Sequence, residues 1–146
     1  MTIALACDHG AFALKEKVKA YLQETGHQVE DFGSFSTESA DYPDFVAPAA
    51  KAVANGTCER GIVLCTTGIG ASLVANKVKG IRCALCTDPF MAEMTRLHND
   101  TNVLALGAQV TGDLLNLRIV DTWLTTDFEG GRHQRRVDKI MALEQV

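Results

Sequence analysis

With 146 residues, 14 basic and 18 acidic side chains and a formal charge of −4, the chain suits a single domain, 1–146, able to bury a core without covalent staples. The basic clusters are few and local, which excludes an electrostatic footprint for nucleic acid. No apolar run approaches membrane-spanning length, the leading Met1-Thr2-Ile3-Ala4-Leu5-Ala6-Cys7 lacks a signal's basic start, and five cysteines fit reduced thiols in the cytoplasm.

The apolar run Ile3 to Cys7 predicts a strand closed by Asp8-His9-Gly10. Residues 11 to 25 then place Leu14, Val18, Tyr21 and Leu22 on one helical face before Gly26. A second strand over Gln28 to Phe32 leads through the polar loop Gly33 to Asp41 into a helix. That helix has Pro43 near its start and ends near Asn55-Gly56. Gly61 to Leu64 reads as a third strand, followed by a helix from about Gly70 to Lys79 that Gly80 stops. Arg82 to Cys86 is a fourth strand, Thr87-Asp88-Pro89 caps a helix carrying Met91, Met94 and Leu97, and Val103 to Leu106 is a fifth strand. Two helices close the chain around the joint Phe128 to Gly131. The first buries Leu114, Leu117, Val120 and Trp123 or Leu124; the second, Arg132 to Glu144, buries Val137, Ile140 and Met141.

Strands apolar on both faces, alternating with amphipathic helices, predict an α/β fold: a three-layer αβα, Rossmann-like arrangement around a five-stranded parallel sheet. Ligands of such sheets sit beyond the carboxyl ends of the strands, where strand order reverses. If the first strand lies between the second and third, Asp8-His9 and Cys65-Thr66-Thr67 meet across that crevice.

Cys65 ends a buried strand and runs into Thr66-Thr67-Gly68-Ile69-Gly70. A helix opening there offers unpaired N–H groups and a positive dipole end, suited to a small anion and to an activated thiol. Lowering an ordinary thiol by ~1.5 pKa units needs roughly 2 kcal/mol, within reach of a helix start plus one charge-assisted hydrogen bond. A cysteine phosphatase would close this loop with arginine where Ala71 stands, and a dinucleotide fingerprint would have glycine where Leu73 stands, so neither chemistry fits. Cys83 and Cys86 fall in one strand with side chains on opposite faces, which reads as packing rather than a metal or redox pair. His98 follows the fourth helix and suits proton transfer by its ordinary pKa. Arg132 and Arg136 share one face at a helix start, where two cations oppose each other and the dipole unless an anion lies between them.

Asp8-His9, Asp41-Tyr42-Pro43, Cys65 to Gly70, Ala75-Asn76-Lys77, Arg96 to Asn102, and Gly130-Gly131-Arg132-His133-Gln134 with Arg136 together closely resemble ribose-5-phosphate isomerase type B. The same family includes allose-phosphate isomerase activity and the galactose-6-phosphate isomerase subunits. The resemblance implies an aldose–ketose isomerase acting on ribose 5-phosphate and ribulose 5-phosphate through a cis-enediol, without metal or other cofactor. It casts Cys65 as the base and His98 as the ring-opening residue. The turn Thr66, Thr67, Gly68, Ile69 and Gly70, with the Thr67 hydroxyl, becomes the anion hole. Asp8, His9, Tyr42 and Asn99 surround the substrate, and Arg132 and Arg136 bind its phosphate. It also implies a homodimer or homotetramer whose sites are completed by the neighbouring subunit.

Two positions depart from the family pattern. Thr66 stands where glycine is common, and Gln109 where many members carry an arginine near the substrate. These departures keep allose 6-phosphate, galactose 6-phosphate and a tetrose phosphate open as substrates. A non-catalytic flavodoxin-like module that binds a nucleotide or flavin phosphate is the reading from a different class.

Overall fold

A computed structural model describes residues 1–145. In chain order the elements are β1 (Thr2–Cys7), α1 (Phe12–Glu24), β2 (Gln28–Asp31), α2 (Pro43–Ala54), β3 (Arg60–Cys65), α3 (Ile69–Asn76), β4 (Cys83–Leu85), α4 (Pro89–Asn99), β5 (Val103–Gly107), α5 (Asp113–Thr125) and α6 (Arg132–Ala142). The five strands form one parallel sheet in the order β2-β1-β3-β5-β4. β1 lies between β2 and β3, the condition under which Asp8-His9 and Cys65-Thr66-Thr67 meet, so the reversal of strand order falls beside Cys7 and Cys65. Among the described residues no helix is long and apolar enough to cross a membrane.

Residue size alternates along the strands and sets the thickness of the two helical layers. Ile3, Leu5, Ile62, Leu64, Leu104 and Leu106 point to one face, where they pack with Leu14, Val18 and Leu22 of α1, Ala92 of α4, and Ile119, Val120 and Trp123 of α5. The opposite face presents Ala4, Ala6, Val63, Cys65 and Ala105 to the alanine-rich α2 and to Ala71 and Ala75 of α3. Small residues on both sides bring α2 and α3 close to the sheet. The end of β3 therefore abuts the start of α3.

Three boundaries differ from the sequence reading. α3 stops at Asn76 rather than Lys79 because the Asn76 side chain leaves the helix for β4. Its Oδ1 accepts from the Cys83 N–H at 2.8 Å and its Nδ2 donates to the Cys83 carbonyl at 3.0 Å. In α5, Leu114 is 81% exposed, while Val120, Trp123 and Leu124 are buried. In α6 only Val137 of the three expected core residues is buried: Ile140 is exposed and Met141 half-buried, and both line an open groove between α6 and the Arg82 to Ala84 edge of the sheet.

Lys15, on the inner face of α1, is fully buried. It donates to both Asp31 carboxylate oxygens at 2.8 and 2.9 Å and to the Ser34 carbonyl at 2.6 Å, and stands over the rings of Phe12 and Phe35. Burial alone pushes the Asp31 carboxyl up, but hydrogen bonds from Lys15, the Gly33 N–H and Lys19 outweigh it and hold it below its ordinary range. The pair anchors the start of the 33–41 loop beside β1.

Lys15→Met is expected to destabilise the chain by about 3 kcal/mol in urea at neutral pH, because it strands a partly buried carboxylate; Lys15→Met with Asp31→Leu should regain most of that. Asp31 has a depressed folded pKa, so its contribution is complete above the ordinary carboxylate range and fades as pH falls through the lowered value. The stability gap between the parent and Asp31→Asn should therefore narrow in acid.

Candidate active site

At the carboxyl end of β3 the chain turns through Thr66 and Thr67 into Gly68, which has φ +79° and begins α3. A Cβ at Gly68 would lie 2.5 Å from Leu85 Cδ1 and 2.9 Å from the Leu106 carbonyl carbon, so only glycine makes this turn against β5. The turn directs the Gly68 N–H onto Cys65 Sγ at 3.1 Å. The Ile69 N–H donates to Thr67 Oγ1 at 3.2 Å. Two of the N–H groups expected in the anion hole are thus used within the turn. Those of Gly70 and Ala71, in the first turn of α3, have no acceptor among the described residues.

Cys65, Thr66, Thr67, Ile69, Gly70, Asp8, Tyr42 and Leu73 line a cleft of about 440 Å³. Asp8 and Tyr42 are shared with an adjoining cavity of about 600 Å³ that takes in His9 and residues 39–44. Asp8 is buried at the end of β1, and its Oδ1 has no hydrogen-bond partner among the described residues. An orphan acceptor of this kind costs roughly 1–3 kcal/mol unless a donor reaches it. His9 is exposed, and its Nδ1 accepts from the Ala40 N–H at 3.1 Å, which leaves the ring proton on Nε2. The Tyr42 ring lies where a Cβ on Gly70 would stand, 2.7 Å from its Cζ. Thr66 Oγ1 likewise closes on Gly10, 2.6 Å from where a Cβ would be, so the extra hydroxyl walls the cleft beside Asp8.

His98, Asn99, Arg132 and Arg136 gather elsewhere. α4 leaves the carboxyl end of β4 and must run back against the strands to reach the start of β5. Its eleven residues carry His98 and Asn99 ~16 Å toward the amino edge of the sheet. There the buried Arg96 donates to the Thr101 carbonyl at 2.7 Å and to Asp100 Oδ1 at 2.9 Å. Arg82 holds the Asn99 and Asp100 carbonyls, and Trp123 Nε1 donates to Thr101 Oγ1. This knot fixes the last turn of α4. The His98 ring stacks on that of His133 with centroids 4.2 Å apart, and Glu129 Oε2 stands 3.9 Å from Nε2 of both rings. Arg132 and Arg136 extend from the exposed side of the same helix start. The sequence reading missed Glu129 and the buried His133. The only hint was a histidine one residue from Arg132 and a carboxylate four residues before it.

The structure thus divides the expected constellation into two halves: Cys65, Thr66, Thr67, Gly68, Ile69, Gly70, Asp8, His9 and Tyr42 in one, and His98, Asn99, Arg132 and Arg136 in the other. The remaining thiols take no part in either. Burial raises all four: Cys7 upward, Cys58 to about 11, Cys86 to about 12 and Cys83 beyond that. Cys83 and Cys86 also face opposite sides of the sheet, as expected.

A family model described as Ribose/Galactose Isomerase matches residues 3–140. The chain belongs to that family. Ribose-5-phosphate isomerase B of Escherichia coli (strain K12) is 50% identical over 143 residues, covering 98% of this chain and 96% of the relative. The solved structure of Clostridium thermocellum ribose-5-phosphate isomerase B superposes with a TM-score of 0.98 at 52% identity, covering 99% and 98% of the two chains. Ribose-5-phosphate isomerase B of Mycoplasma genitalium, solved with bound ribulose-5-phosphate, has a TM-score of 0.95 at 39% identity, covering 99% and 96%. Family membership accounts for the αβα architecture.

Gly107→Ala tests how tightly the turn is held, because its Cβ would lie 2.5 Å from the Thr67 carbonyl oxygen. The substitution is expected to destabilise the fold by ~1–3 kcal/mol in denaturant unfolding, the range for overpacking, and an unchanged midpoint would show that the turn yields freely.

Proposed function

We propose that this chain interconverts ribose 5-phosphate and ribulose 5-phosphate, with residues 1–146 acting as one isomerase domain in the cytoplasm. The observation that carries the reading is the Cys65 thiol. It is held by the Gly68 N–H in a cleft where Asp8 keeps an unpaired carboxylate oxygen. In this reading Cys65 takes the C2 proton of the open-chain aldose as the C1 carbonyl becomes an enediolate. Return of that proton to C1, with the C2 hydroxyl giving up its proton to become the carbonyl and the C1 oxygen taking one to become a hydroxyl, gives the ketose. Thr67 Oγ1 already accepts from the Ile69 N–H, which leaves its own proton to donate. Together with the N–H groups of Gly70 and Ala71, it meets the charge that develops on the enediolate oxygen. Asp8 accepts from a sugar hydroxyl, and His9 donates from Nε2. Tyr42 closes the cleft over Gly70.

His98 opens the sugar ring, Asn99 lies beside it, and Arg132 and Arg136 hold the phosphate. His98 and Asn99 stand ~16 Å along α4 from the carboxyl edge of the sheet, with Arg132 and Arg136 at the start of α6, which packs on α4; this supports a homodimer or homotetramer in which the neighbouring subunit supplies all four. The exposed Ile69 and Leu73 at the rim of the cleft, and Ile140 and Leu143 on α6, are apolar surfaces such contacts would cover. The Thr66 hydroxyl narrows the cleft, which favours a five-carbon over a six-carbon sugar phosphate.

The test is proton NMR in heavy water with ribose 5-phosphate, allose 6-phosphate, galactose 6-phosphate and erythrose 4-phosphate in parallel. Ribose 5-phosphate should convert fastest, with deuterium entering at the carbon that loses its proton; no conversion of any sugar by the intact oligomer would overturn the reading. Cys65→Ala should lower kcat by ~10²–10⁴-fold with little change in substrate binding. Arg136→Ala should chiefly raise KM, and mixing Cys65→Ala chains with Arg136→Ala chains should restore a fraction of the parental turnover at the parental KM only if sites are shared between subunits.

A further inference from the structure

His98, Glu129 and His133 offer three ligand atoms that all lie within 4.8 Å of one another. Separate elements bring them together. His98 is on the last turn of α4 and His133 on the first turn of α6. Glu129 precedes Gly130 and Gly131, whose φ values of +71° and +56° turn the carboxylate back over His133. Glu129 Oε2 is 3.9 Å from Nε2 of each ring, too long for a hydrogen bond. His133 is only 4% exposed, and its Nε2 has no hydrogen-bond partner among the described residues. A buried imidazole nitrogen left without a partner is a site waiting for a donor or an electrophile.

We propose that His98, Glu129 and His133 form a site for a zinc-class divalent transition metal. Two imidazoles and one carboxylate, with a fourth position open to water, are a donor set that suits zinc, cobalt or nickel better than calcium or magnesium. Ligands held ~2.0–2.1 Å from a tetrahedral metal stand about 3.3 Å apart, so the carboxylate must close on each nitrogen by roughly half an ångström. The Glu129 side chain is 50% exposed and that of His98 39% exposed, so both have room to move. The stacked rings, whose planes differ by 13°, must tilt until their lone pairs converge. Arg132 and Arg136 flank His133 on the same helix. The same two arginines oppose a cation, which makes the site one of reversible occupancy rather than of a resident cofactor. Resting on the isomerase reading, a bound ion takes the imidazole of His98 out of ring opening and sets a carboxylate–metal charge beside the phosphate-binding arginines. The metal is then an inhibitor of turnover.

The experiment is calorimetric titration of the chelator-treated, intact oligomer with zinc chloride, and absorption spectroscopy with cobalt chloride. One zinc per chain is expected, with visible cobalt bands of a four-coordinate site and without the near-ultraviolet charge-transfer band of a thiolate ligand. Glu129→Gln, at an exposed position that does not threaten the fold, should weaken zinc at least ~10-fold, since even outer partners of a metal ligand are worth that much. His133→Asn should do the same. Absent binding, a thiolate band, or unchanged affinity in both variants would overturn the site. Zinc bound as described without inhibiting ribose 5-phosphate turnover would leave the metal site standing and count against His98 as the ring-opening residue.

Discussion

A helix that leaves the carboxyl end of a strand and returns to start a parallel neighbour must run against the sheet, and α4 obeys this constraint between β4 and β5. Everything at its far end is carried to the opposite edge from Cys65. The histidine and arginines are therefore kept apart from the thiol by the connectivity itself, whatever their rotamers. Arg96, Arg82, Asp100 and Thr101 then lock that end in place through buried and half-buried hydrogen bonds to the backbone. In the isomerase reading, the buried charge that fixes His98 so far from Cys65 serves to present it to another subunit, in the proposed oligomer the cleft of a second copy.

The cleft depends on a second constraint, the unequal size of residues on the two faces of the sheet. Leucines and isoleucines fill the α1 and α5 side, while alanines, Val63 and Cys65 leave α2 and α3 close to the strands. Close approach places the Gly68 turn against β5, where Gly68 and Gly107 allow two backbones to touch. The resulting geometry points an N–H at Cys65 Sγ and leaves the first-turn groups of α3 beside the cavity. Packing on one layer thus sets the polar geometry of the site at its edge. Asp8 is buried at that edge with one carboxylate oxygen unpartnered among the described residues.

The order of strands and helices was legible because β1, β3 and β5 are short apolar runs and glycine or proline punctuates the elements between them. Asp88 caps α4 by accepting the Met91 N–H, with Pro89 behind it, as its sequence context implies. Errors fell where a side chain answers to a distant partner. Asn76 ends α3 early because it pairs with β4, and Ile140 stays exposed because it lines the open groove between α6 and β4. Lys15 looks like any helix-surface lysine until Asp31 and the Ser34 carbonyl surround it.

By itself the sequence determined the parallel αβ alternation, the place of Cys65 before a glycine turn, and which residues are candidates to carry a charge or a proton. Those are properties of local chemistry: periodicity, caps, and glycine where φ must be positive. Only the tertiary structure decided which of these residues meet. It joined Asp8 to Cys65 by placing β1 beside β3, and it separated both from His98 by the return of α4. It also put Glu129 and His133 against His98 through a two-glycine reversal. Those outcomes depend on strand order and helix direction, which no short window of residues encodes.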